Sequence, residues 1–250
     1  MKNIIIAVFL ITCIASCTKV DSPDADPPRV TPRNESAFSN CRFLLTIDDG
    51  PSRYTKDILS KLEQRQYLGV FFMTAMGESV NLDIYKKTIQ DVIDNGHIIG
   101  NHTKSHNLEM LRHATHDTVR SDIQFINEYF KRNFNYNLKL FRPPFGVQRK
   151  SVLPRILDEF VMVNILWTID ICDVRWYNKP YDEKYVESLI VKQIRNMRDK
   201  KDHVVLLHSI AITSRNLDSI INILERYGKI VTKEEDICDI ADYQYNIVRR

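Results

Sequence analysis

From about residue 41 onward, short apolar runs rich in Val, Ile, Leu and Phe alternate with longer stretches of helical period. The runs are Arg42–Ile47, Gly69–Thr74, His97–Gly100, Leu138–Phe141, Val161–Thr168, His203–Leu207 and Lys229–Val231. Between them, the 3.6-residue period predicts helices at Thr55–Arg65, Asp83–Asn95, Asp117–Lys131, Lys150–Phe160, Glu183–Met197 and Leu217–Tyr227. Gly96 and Gly228 stand just past such segments and Ser214 just before one, residue types that end and start helices. Strands alternating with helices imply parallel βαβ units. About seven of them predict an α/β fold, a distorted (β/α) barrel of about seven parallel strands.

Reactive side chains fall at one end of this pattern. Asp48 and Asp49 close the first run, His102 and His106 follow the third, Arg142 the fourth, Asp170 and Asp173 the fifth, and His208 the sixth. In a β/α barrel the C-terminal strand ends share one face, where active sites are built. A borderline ion such as zinc takes imidazole and carboxylate ligands, and a neighbouring carboxylate left off the metal can act as a base toward water. The arrangement predicts a metal-dependent hydrolase. Taken singly, each piece has a plainer reading: Asp-Asp-Gly-Pro as a turn, the His pair as a solvated face, Arg142 as a surface ion pair, His208 as a core histidine. Their joint position at strand ends favours chemistry.

With 250 residues, 44% apolar and 27% charged, the chain suits one well-buried domain. A formal net charge of +3, mixed along the sequence, gives no footing for nucleic acid. Met1-Lys2-Asn3 and the apolar run from Ile4 to Ile14 read as an export signal too short to span a bilayer. That signal, residues 1–16, ends at Ile14-Ala15-Ser16-Cys17, which resembles a bacterial lipobox and predicts Cys17 as a lipidation site, the alternative being an ordinary secretory signal with a chance cysteine. Residues 17–40 carry Pro23, Pro27, Pro28 and Pro32 among polar residues and read as a disordered tether, leaving residues 41–250 as the catalytic domain. These features predict a lipoprotein anchored in a bacterial cell envelope. Cys41, Cys172 and Cys238 remain in the domain and permit one disulfide at most.

Five motifs in order resemble the polysaccharide deacetylases of the NodB type, carbohydrate esterase family 4. Thr46–Ser52 is similar to that family's T-F-D-D-G-P motif, His102-Thr103-Lys104-Ser105-His106 to H-[ST]-x-x-H, and Arg142-Pro143-Pro144-Phe145-Gly146 to R-x-P-[FY]. Trp167–Asp173 corresponds to D-x-x-D-W and Leu206-Leu207-His208 to L-x-H. The resemblance covers about Cys41 to Tyr227. It implies that Asp49, His102 and His106 bind a divalent metal, zinc first, with cobalt or nickel as alternatives. It implies that Asp48 is the general base, Arg142 its ion-pair partner, His208 the general acid and Asp173 the carboxylate that sets its charge. The metal and the Phe145 N–H would hold the oxyanion, with Pro144, Leu206, Trp167 and Trp176 lining the substrate site.

The resemblance implies an enzyme that removes N-acetyl groups from an amino-sugar polymer outside the cytoplasm, and the chain is expected to be a monomer. An O-acetyl glycan esterase and a glycan-binding lipoprotein without turnover are the alternatives. Val174 stands where the family usually has Trp, which opens the acetyl pocket unless Trp176 substitutes. Rim segments Met76–Leu82 and Cys172–Asp182 are expected to set glycan specificity.

Overall fold

The computed structural model describes residues 41–250 apart from 77–80, 177–178, 198–200 and 249–250. The expected signal, Cys17 and the tether therefore lie outside the described residues, as does part of the Met76–Leu82 and Cys172–Asp182 rims. Among the described residues there are eight parallel strands: β1 (Cys41–Gly50), β2 (Gly69–Met73), β3 (Ile98–Asn101), β4 (Leu140–Phe141), β5 (Val163–Asn164), β6 (Ile169–Asp170), β7 (Asp202–His208) and β8 (Gly228–Ile230). They form one curled sheet in the order β5-β4-β3-β2-β1-β7-β6, and β8 pairs with the first residues of β1. The helices are α1 (Thr55–Gln64), α2 (Lys86–Asp94), α3 (Leu108–His113), α4 (His116–Phe134), α5 (Leu153–Phe160), α6 (Glu183–Asn196), α7 (Ala211–Glu225) and α8 (Glu234–Val248). This is the expected distorted (β/α) barrel.

Three local expectations change. The run Val161–Thr168 supplies only β5, because Val161 is the left-handed cap of α5 at φ 53 and is 71% exposed. Ile169–Asp170 forms a strand of its own, so Asp170 and Asp173 follow the sixth strand and His208 ends the seventh. Helix α7 begins at Ala211, since Ser214 bonds Asp57 of α1 instead of capping the helix start. No disulfide joins Cys41, Cys172 and Cys238 among the described residues.

Strand alternation sorts the core into two layers. Phe43, Leu45, Ile47, Phe71, Met73, Ile99, Val205 and Leu207 face outward and pack under the helices. Leu44, Val70, Phe72, Leu140, Ile165 and Val204 fill the barrel, joined by Ile237, Ile240 and Ala241 of α8. That helix closes the mouth at the N-terminal strand ends, where Arg42 pairs with Asp236 at 2.7 Å and Asp202 at 2.6 Å. A Cβ on Gly100 would lie 2.5 Å from the Phe72 ring, so glycine is required for that ring to enter the barrel. Higher along the same inward rows come Thr46, Asp48, His102, Arg142 and His208, and the interior turns polar at its C-terminal end.

Candidate active site

Alternation along β1 sends Asp48 inward and would send Asp49 outward. Asp49 instead adopts φ 61, and the register against β2 shifts between Ile47 and Gly50. A left-handed non-glycine residue costs energy and occurs where the surroundings hold it. Here a buried hydroxyl cluster does so: Ser52 Oγ and Thr55 Oγ1 lie 2.9 and 2.7 Å from Ser209 Oγ, and the Ser209 N–H donates to the Asp48 carbonyl at 2.8 Å. The loop after β1 is thus fastened to the residue after His208.

The histidine loop is pinned in a similar way, with Thr103 at φ 63 and His106 at φ 46. Asn101 Oδ1 accepts the Thr103 N–H at 2.7 Å, and Thr103 Oγ1 accepts the His106 N–H at 3.1 Å. Asp122 of α4 accepts the Ser105 N–H and hydroxyl, both at 3.1 Å. His102 Nδ1 lies 2.7 Å from the Arg142 carbonyl, which can only accept, so Nδ1 carries the proton and the Nε2 lone pair turns into the site. Burial pushes His102 down to about 4, which keeps it neutral.

One ligand atom from each of Asp49, His102 and His106 lies within 4.8 Å of the others. Asp49 Oδ1 is 3.1 Å from His106 Nε2 and 3.5 Å from His102 Nε2. Ligands bound at about 2.0–2.1 Å in a tetrahedron are about 3.3–3.4 Å apart, so these spacings fit one ion. Asp49 Oδ1 is also buried without a hydrogen-bond partner. Burial alone would raise the Asp49 carboxyl, but His106 first, then His208 and His102, hold it well below the usual carboxylate range. Two imidazole nitrogens and a carboxylate therefore fit a divalent metal.

Asp48 Oδ2 faces His102 Nε2 at 3.6 Å, while its Oδ1 accepts from Arg142 Nη1 at 2.7 Å. Arg142 is fully buried, donates to Thr46 Oγ1 at 2.7 Å and the Ile165 carbonyl at 2.9 Å, and lies 4.3 Å from the Phe72 ring centre. Burial lowers its pKa from the ordinary arginine value, against the pull of Asp48.

Asp173 Oδ1 accepts from His208 Nδ1 at 2.7 Å and the Val174 N–H at 3.0 Å. Its Oδ2 accepts from the His208 N–H at 2.7 Å and Thr213 Oγ1 at 2.5 Å. Burial disfavours the His208 charge, but Asp173, then Asp49 and Asp48, outweigh it and push the imidazole up to about 10.

Phe145 takes φ 60 and Gly146 φ 65, and the Phe145 ring meets His106 edge-on at 4.7 Å. A Cβ on Gly146 would stand 2.8 Å from Trp167, whose half-buried indole covers that turn. Pro144 and Leu206 are buried, the latter inward beside Thr46. Trp176 is buried as well, but its ring meets Tyr181 and Tyr185 in the outer layer, 6.2 and 5.6 Å away. Thr46, Thr213, Ser209 and Asp122 were not singled out from sequence. Thr46 lies inside the first motif, whereas the other three meet the site only through long-range contacts.

The sequence model of the family described as polysaccharide deacetylase matches residues 38–158. A peptidoglycan-N-acetylglucosamine deacetylase of Bacillus cereus is 30% identical over 180 residues, covering 71% of this chain and 74% of its own. The solved polysaccharide deacetylase from Bacillus cereus superposes with a TM-score of 0.63 at 22% identity, over 78% of this chain and 93% of that one. A CE4 family pseudoenzyme from Bacillus anthracis gives 0.62 at 23% identity, over 77% and 63%. The chain spans 47% of another Bacillus cereus peptidoglycan deacetylase and 56% of a Saccharomyces cerevisiae chitin deacetylase, about half of each.

Proposed function

This chain belongs to the polysaccharide deacetylase family, and from that membership we propose that it hydrolyses the N-acetyl group of an N-acetylglucosamine-containing glycan, releasing acetate and leaving a free amine. The observation that carries the reading is the convergence of Asp49 and two histidines on one ligand position beside an Arg142-held Asp48. Relatives named for peptidoglycan N-acetylglucosamine and for chitin support the substrate class.

Asp49, His102 and His106 would hold the ion, and their donor set suits zinc, cobalt or nickel better than calcium or magnesium. When bound, such an ion polarises the acetyl carbonyl and makes water more acidic. Asp48 takes a proton from the attacking water, and Arg142 holds this carboxylate turned to the site. The Phe145 N–H, aimed by its left-handed backbone, stabilises the oxyanion. His208, charged through Asp173, gives its Nε2 proton to the departing nitrogen as the C–N bond breaks. Trp167 offers an apolar face to the sugar. Trp176 supports the loop by packing on α6, and this reading gives it no contact with substrate.

The signal-like start and Cys17 support export and lipid anchoring at a bacterial cell envelope. No helix among the described residues is long and apolar enough to cross a membrane. A second reading, a glycan binder without turnover, is favoured by Val174 and by the pseudoenzyme that shares the fold. Acetate release from N-acetylglucosamine oligomers, peptidoglycan strands and acetylxylan separates the readings. The metal-replete protein is expected to release acetate from the N-acetylated glycans. Glycan binding with no acetate from any of the three would establish the binder.

A further inference from the structure

The end of β2 and the outer face of α4 border a cleft of about 450 Å³ that shares no lining residue with the Asp49 cluster. One wall carries Asn81, Asp83 and Lys86 at the start of α2. The other carries Phe125, Tyr129 and Arg132, spaced as one stripe of a helix. The Tyr129 hydroxyl donates to Asp83 Oδ1 at 2.9 Å, and Lys86 Nζ sits 3.0 Å from the same oxygen. Asp83 is therefore neutralised within the cleft. Arg132 also acts on Asp83 through space, so the cleft sets two cations, Lys86 and Arg132, against one carboxylate and keeps an excess of positive charge. At its upper end Phe125 is 39% exposed, with the Lys104 ammonium 4.4 Å from the ring centre.

Lys104 ties this cleft to the metal site. It lies between His102 and His106, and its N–H donates to the Asp122 carbonyl of α4 at 3.2 Å. A polymer leaving the metal site over Lys104 would meet Phe125 and then Arg132. The volume falls in the usual range for small-ligand sites, about 300–1,000 Å³. A ring face, two amides, Asn81 and Asn133, and an arginine fork match the apolar faces, hydroxyls and carboxylate of an acidic sugar.

We propose that this cleft is a second glycan-binding site, taking a carboxylate-bearing sugar of the polymer whose N-acetyl group occupies the metal site. The claim rests on the deacetylase reading and narrows it, from N-acetylated glycans in general to acidic ones.

The test uses two hexasaccharides, neutral N-acetylglucosamine hexamer and its counterpart with a 3-O-lactyl group on alternate rings. Binding is measured by calorimetry on the metal-loaded full chain carrying Asp48→Asn, which holds glycan without consuming it, and wild-type acetate release is followed separately. The acidic hexamer is expected to bind about tenfold more tightly at low salt, the size of one charge-assisted contact in water. Arg132→Ala is expected to reduce that preference to about twofold, and Arg132→Lys to restore part of it. Equal affinity for the two hexamers overturns the proposal, as does a preference that survives Arg132→Ala. Loss of the preference in Arg132→Ala, together with no acetate from either glycan by wild type, would instead leave the cleft standing and sink the deacetylase reading.

Discussion

Asp173 accepts four hydrogen bonds inside the protein, two on each oxygen. A carboxylate so held cannot turn away from His208, which is the condition for the proposed acid to stay charged and aimed. Thr213, fully buried in the first turn of α7, supplies one of the four. Thr213→Val should lower turnover of an N-acetyl substrate by about ten- to 150-fold, the worth of one hydrogen bond to a charged group. Hydrolysis of an activated aryl acetate, whose leaving group needs no proton, should suffer less, and Thr213→Ser should recover the loss. Equal losses on both substrates would contradict the role. In Asp173→Asn the main cause of the raised His208 pKa disappears, so the high-pH limb of activity should move from near 10 toward neutrality. A limb that stays put would remove Asp173 from the account. At this scale the sequence was legible where chemistry is local: Asp48, Asp49, His102, His106, Arg142 and His208 all converge. Thr213 was not legible, because its partner is 40 residues away and a threonine in a helix has plainer readings. Nor was the outward turn of Trp176, which depends on Tyr185 offering a packing face from the next helix.

Elements were legible where a buried face imposes a period, and illegible where backbone strain or tertiary position overrides it. The inward row of β1 follows alternation from Leu44 to Asp48, and then Asp49 breaks it with a left-handed turn that no hydrophobic pattern encodes. Helix α8 does carry a periodic signal in Ile237, Ile240 and Ala241, but its place as the barrel's plug depends on strands far away in sequence. The joint between β2 and β3 gives a prediction at this scale. His97 is buried, and its Nδ1 accepts the Gly69 N–H at 3.1 Å, so it must be neutral there. Burial pushes His97 down to about 4. Since the unfolded chain holds that proton with an ordinary pKa near 6.5, the stabilisation is complete above about 6.5 and lost as pH falls to about 4, amounting to about 3 kcal/mol. His97→Asn, whose Oδ1 can accept the same N–H without titrating, should flatten urea stability between pH 7 and pH 4.5 relative to wild type. Parallel losses in the two proteins would mean that the acid sensitivity lies elsewhere.

Across the whole molecule, an outer layer of helices and an interior closed below by α8 leave one polar end, and the candidate chemistry occupies it. Anchoring belongs to this scale as well: Cys17→Ser should release the protein from membranes on cell fractionation, and a wild-type protein wholly in the soluble fraction would contradict the proposed lipid anchor. The central claim is that Asp49, His102 and His106 hold a metal for which Asp48 serves as the base. It is tested most directly by measuring bound zinc and acetate release together in wild type, Asp48→Asn and His102→Ala. The account predicts one zinc per chain in wild type and Asp48→Asn, with turnover in Asp48→Asn lower by about two to four orders of magnitude, and weak metal binding with no turnover in His102→Ala. Zinc bound as tightly by His102→Ala as by wild type, or acetate released by Asp48→Asn at the wild-type rate, would contradict it.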